Sequence, residues 1–105
     1  FIHETSGLME IPSDLPCFEE IGIGQGVSRI LQIVKDEKIH VLPVHAEAEG
    51  GVWNQYFIEL LEKLGSIDYQ ILPLFEIRKL LESEVLPVRK YRMELLPGRS
   101  APCAV

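Results

Sequence analysis

The chain is short of nearly everything that would announce a chemistry. It has only two cysteines, Cys17 and Cys103, and neither belongs to a Cys-x-x-Cys pair. A zinc ribbon, a thioredoxin-type redox centre and a disulfide scaffold are therefore excluded. Two free thiols in a reducing cytosol are the simplest reading, and a bridge is open only if the two ends meet. No apolar run approaches the ~18 residues that cross a bilayer, and no basic-then-apolar leader opens the chain. The expectation is a cytoplasmic protein with no membrane partner.

Positive charge is scarce as well. Against 16 acidic residues there are 10 Lys and Arg, for a formal net charge of -6. Phosphate neutralisation supplies most nucleic-acid affinity, and only Arg89, Lys90 and Arg92 cluster, which speaks against a nucleic-acid partner. No Gly-x-Ser-x-Gly elbow is present for a serine nucleophile. Histidines four apart, as on a zinc-protease helix, are missing too: His40 and His45 lie on opposite faces of an alternating strand.

What is present is a single-domain composition. The chain has 105 residues, 47% apolar and 25% charged, which suits one soluble domain spanning 1–105. Residue 1 is Phe, so the domain reads as one excised from a longer chain. Two apolar runs, 39–45 and 69–75, have strand character and share the pattern apolar-Leu-Pro-apolar at Pro43 and Pro73. Each leads into a helical pattern. Val27, Ile30, Leu31 and Val34 stripe a helix over Gly24 to Glu37; Trp53, Phe57, Leu60, Leu61 and Leu64 stripe a second over Val52 to Leu64, with Gly65 as its left-handed cap. Ile77, Leu80 and Leu81 mark a third.

Strand runs alternating with amphipathic helices predict an α/β fold: a small, mostly parallel sheet flanked by three helices. Phe1 to Thr5 is a candidate short strand. Val88 to Leu96 alternates apolar and charged residues, which predicts an antiparallel C-terminal edge strand with one wet face. Residues 97–105, rich in Pro and Gly, read as a mobile tail.

Two places could bind a ligand. Gly22, Gly24 and Gly26 stand at the start of the first helix, where unpaired amides and the helix dipole favour an anion. The dinucleotide fingerprint is incomplete, because Val27 occupies its sixth position, and no Lys-Ser or Lys-Thr completes a phosphate loop. A plain helix entry is the simpler reading. His45, Glu47 and Glu49 follow the C-terminal end of the first strand, where open α/β sheets collect ligands. An imidazole with two carboxylates could hold a divalent ion or exchange protons, although a solvated acidic loop has the same composition. Cys17, beside Phe18 and Glu19, has nothing to lower its pKa and is not expected to be a nucleophile. No metal or cofactor is identified.

Phe1, Gly7, Ile11-Pro12, Glu19-Glu20, the Gly22-Ile23-Gly24-Gln25-Gly26 run and Arg29 occur in an order similar to one region of a prokaryotic family. That family couples a radical-SAM iron–sulfur domain to a conserved C-terminal domain of unassigned role, and residues 1–36 resemble the latter in layout. No Cys-x-x-x-Cys-x-x-Cys run is present here to hold the cluster itself, and the family's glycine-rich end is missing. The resemblance implies a non-catalytic accessory domain that binds a substrate or partner within a larger enzyme. The alternatives are a small ligand- or metal-binding enzyme centred on Gly22–Gly26 and His45–Glu49, and a structural protein that oligomerises through the 88–96 edge.

Overall fold

A computed structural model describes residues 1–34 and 38–105. Its core is helical. Helices α1 (Phe18–Ile21) and α2 (Ile23–Ile33) are joined at Gly22, whose φ of 77° closes one helix and opens the next. Helix α3 (Asn54–Ser66) lies against α2, and α4 (Leu74–Leu81) follows.

The α2 stripe packs as its spacing predicts. Val27, Ile30 and Val34 are buried together with Leu15, Phe18 and Leu60 of α3, ringed by Leu31, Trp53, Tyr56, Phe57 and Leu64. Each fully buried side chain of this kind is worth about 1.5–3 kcal/mol, so these contacts dominate stability. The expected last residues of the α2 pattern, 35–37, lie outside the described set. Gly65 does not cap α3. The helix continues through it to Ser66, and Asp68 takes the left-handed conformation with φ 64°.

The predicted central sheet is not formed, which corrects the expected architecture. Residues 39–45 and 69–73 are irregular and join no ladder among the described residues. Among the described residues the strands are instead four two-residue pieces: β1 (Ile2–His3), β2 (Val88–Arg89), β3 (Met93–Glu94) and β4 (Cys103–Ala104). β1 pairs in parallel with β2, and β3 antiparallel with β4, in two separate sheets. The fold is thus mixed helix and strand without a sheet sandwiched by three helices.

Local chemistry accounts for the difference. Pro43 and Pro73 have no amide to give to a ladder. Val41 is already engaged: its amide donates to Asp14 Oδ1 at 2.6 Å, and its carbonyl accepts from the Leu15 amide at 3.2 Å. Leu74 and Phe75, expected to end a strand, begin α4 immediately after Pro73.

The 88–96 segment also departs from its pattern. It is divided between the two small sheets, and Tyr91, Met93 and Leu95, the expected dry side, are exposed, as are Lys90 and Arg92. The segment expected as a tail is packed back on the domain. The Val105 amide and carbonyl both bond to Arg92, and Val105 itself is buried.

Candidate functional site

The most chemically concentrated point lies where the start of α1 meets the end of the 39–45 segment. Cys17 is the residue before α1 and is buried; Glu19 is in the first turn and exposed. His45 ends the irregular segment just before a π-helical turn at Ala48–Val52. Cys17 Sγ, a ring nitrogen of His45 and a Glu19 carboxylate oxygen all lie within 4.8 Å of one another. His45 Nδ1 is 3.3 Å from Glu19 Oε2. That is ion-pair distance without hydrogen-bond alignment, because the buried Nδ1 atom has no hydrogen-bond partner.

Cys17 and His45 are each held from behind. Glu20 Oε2 accepts from the Cys17 amide at 3.1 Å and from its thiol at 3.5 Å. Glu20 Oε1 in turn accepts from Ser100 Oγ at 3.2 Å and faces Arg99 Nε at 3.1 Å. On the other side, the buried Glu49 carboxylate accepts the His45 amide at 2.8 Å, while the Glu49 carbonyl accepts from Asn54 Nδ2 at 3.1 Å. The imidazole is therefore anchored by its own backbone to the turn that follows.

Burial pushes the Cys17 thiol above its ordinary pKa, and the Glu20 carboxylate adds to the rise, with nearby amides offsetting only part of it. The thiol is protonated at neutral pH and is no free nucleophile. For Glu20, burial acts upward, but the Cys17 and Ser100 amides and the Arg99 guanidinium outweigh it, and the net shift is downward. The chemistry available is that of a sulfur, an imidazole and a carboxylate: metal ligation, or proton exchange at His45.

Of the sites read from the sequence, the structure brings only His45 into this cluster. Glu47 is exposed, and Glu49 turns inward to bind backbone. Gly22 is the kink between two helices, whereas Gly24 and Gly26 lie inside α2. Gly26 has a packing role, since an added Cβ would stand 2.7 Å from Phe18 Cδ1.

Sequence reasoning weighed Cys17 only as a nucleophile, which it set aside, and gave Glu19 no part in a site. A cysteine three residues before Glu20 at a helix start is a local signal for the N-cap. The approach of Glu19 to His45 is tertiary and has no local signature.

Elsewhere, His40 Nδ1 meets Asp14 Oδ2 at 2.6 Å, a contact that ties the 39–45 segment to the irregular stretch leading into α1. The basic residues near the C-terminus are engaged. Lys90 pairs with Glu4 at 3.1 Å, Arg92 with Glu94 at 2.9 Å, and Arg89 stacks 3.8 Å over Phe1. No helix is long and apolar enough to cross a membrane among the described residues. No protein-family model matches the chain, and no solved structure matches it.

Proposed function

We propose that this chain is an accessory α/β domain of a larger enzyme that docks on a strand-bearing partner polypeptide and carries the Cys17–Glu19–His45 cluster to the rim of that seam. The observation that carries this reading is the exposure of strand-forming residues on segments that stand outside any ladder among the described residues. Ile39 is 45%, Val44 49% and Ile71 62% exposed. β-branched residues on extended backbone favour a half-buried pleated surface. Their segments join no ladder among the described residues, so a partner's strand edge can pair with them.

The magnitudes agree. A monomer of 11.9 kDa is expected to expose roughly 6,000 Å², and this one exposes 7067 Å². The surplus, on the order of 1,000 Å², is about one partner's share of a standard interface. The radius of gyration of 14.7 Å exceeds the ~13 Å expected for this length. Helix α4 points the same way: it has no buried residue, and Leu74, Phe75 and Leu80 are each more than half exposed. The layout that residues 1–36 share with the radical-SAM accessory domain names one class of larger enzyme for this role.

A triple variant, Ile39→Lys, Val44→Lys and Ile71→Lys, tests the reading. The variant should melt within a few degrees of the wild type, yet lose a stoichiometric complex that the wild-type chain forms in cells of its source. A wild-type chain that stays alone in those cells would contradict docking. A concentration-dependent homodimer that persists in the same variant would instead support the structural reading, self-association through the 88–96 edge.

A further inference from the structure

We propose that Cys17, Glu19 and His45 form a mononuclear site for zinc or a similar borderline divalent transition metal, with a fourth position left for water or a ligand. Three donors of different chemistry arrive from separate places: a residue preceding α1, its first turn, and the end of the 39–45 segment. All three donor atoms lie within 4.8 Å of one another. A three-residue protein set with an open position is the arrangement of catalytic rather than structural zinc.

A second observation points into the same space. His45 Nδ1 is buried and has no hydrogen-bond partner, although Glu19 Oε2 stands 3.3 Å away. In the tautomer that leaves Nδ1 without a proton, its lone pair faces the Glu19 carboxylate. A cation between them satisfies both atoms. Zinc bonds of about 2.0–2.3 Å place tetrahedral donors roughly 3.4–3.7 Å apart. The His45–Glu19 pair already has nearly that span, and the third donor needs to close by no more than about 1 Å.

The surrounding groups suit the ion. Glu20 holds Cys17 through its backbone amide, and Glu49 holds the His45 backbone. Such supports orient metal ligands before the metal arrives. With a thiolate, a carboxylate and a neutral imidazole, the ligand charge balances a divalent cation. The sulfur favours zinc, cobalt or copper over magnesium or calcium. On binding, the Sγ–H bond breaks, a sulfur–metal bond forms, and the proton leaves to solvent. No electron is transferred. Affinity should therefore rise with pH. The site lies entirely within the 105 residues, so its failure and the failure of the docking reading are separate results.

Cobalt titration of the reduced chain tests the proposal. One equivalent of Co²⁺ should bind with thiolate-to-cobalt charge-transfer absorption, and Zn²⁺ should displace it. Cys17→Ser, which keeps a good N-cap, should abolish the absorption, whereas Cys103→Ser and Glu47→Gln should retain it. His45→Ala and Glu19→Gln should each weaken zinc binding by more than about tenfold, with unchanged circular dichroism. Absence of the band, its survival in Cys17→Ser, its loss in Cys103→Ser, or wild-type affinity in the His45 and Glu19 variants would each overturn the site.

Discussion

Arg99 Nε lies 3.1 Å from Glu20 Oε1, and each side chain is only 17% exposed. This pair fastens the C-terminal segment to α1, helped by Arg99 Nη1 donating to the Leu15 carbonyl at 3.1 Å. It stands directly behind Cys17, so the packing of the chain's end and the candidate site share one carboxylate.

Removing either partner should therefore destabilise the domain. Arg99→Ala is expected to cost about 1–3 kcal/mol in urea unfolding, because a largely buried carboxylate loses its counter-charge and the Leu15 carbonyl its donor. The acid side carries a sharper signature. Glu20 is held below the usual carboxylate range, so it contributes stability that is complete above about pH 4.3, the unperturbed glutamate value. That stability is lost as pH falls through the lower native-state value. Glu20→Gln should be less stable than wild type at neutral pH and should lack this part of the acid slope.

The glycines of α2 should respond in opposite directions. Gly24 has nothing within 4 Å of an added Cβ. Gly24→Ala should stabilise the helix by about 0.5–1 kcal/mol through propensity and backbone entropy alone. Gly26→Ala has the same intrinsic advantage, but its Cβ would stand 2.7 Å from Phe18 Cδ1 and 3.1 Å from Cε1. Overpacking of that kind costs typically about 1–3 kcal/mol, so the net effect should be destabilising. Equal effects at the two positions, read from melting temperatures, would contradict the α1–α2 packing.

Asp14 should matter more than its partly exposed position suggests. One oxygen accepts the Val41 amide and the other contacts His40 Nδ1, both at 2.6 Å. Asp14→Ala should lower stability by about 1–3 kcal/mol and release the 39–45 segment. Asp14→Asn, which keeps one acceptor for the Val41 amide, should recover part of the loss.

The helices were legible because their signal is local. Val27, Ile30 and Val34 repeat at helical spacing, and the structure buries all three against Leu60. The sheet was misread for a related reason: strand-like runs announce a propensity to pair but not a partner. At 39–45 the proline and the Asp14 and Leu15 contacts take the place of a ladder. Leu74 and Phe75 read equally well as strand end or helix start, and Pro73 decides for the helix. His45 was visible because it follows an apolar run. Glu19 was hidden, since its meeting with His45 depends on how α1 is placed.

Cys17 should alkylate slowly. Its thiol is buried and its pKa raised by burial and by the Glu20 carboxylate. With iodoacetamide near neutral pH, the more exposed Cys103 should react first. Glu20→Gln should speed the modification of Cys17, since it removes a neighbouring negative charge.

The most direct test of the central claim is amide hydrogen exchange on the 105-residue chain alone. Leu42, Val44, Ile71 and Leu72 should exchange within about tenfold of an unstructured peptide, while Ile30 and Leu60 approach the global unfolding limit. Protection at 42, 44, 71 and 72 equal to that of Ile30 would mean that these segments already have partners within the domain, and the docking account would fail.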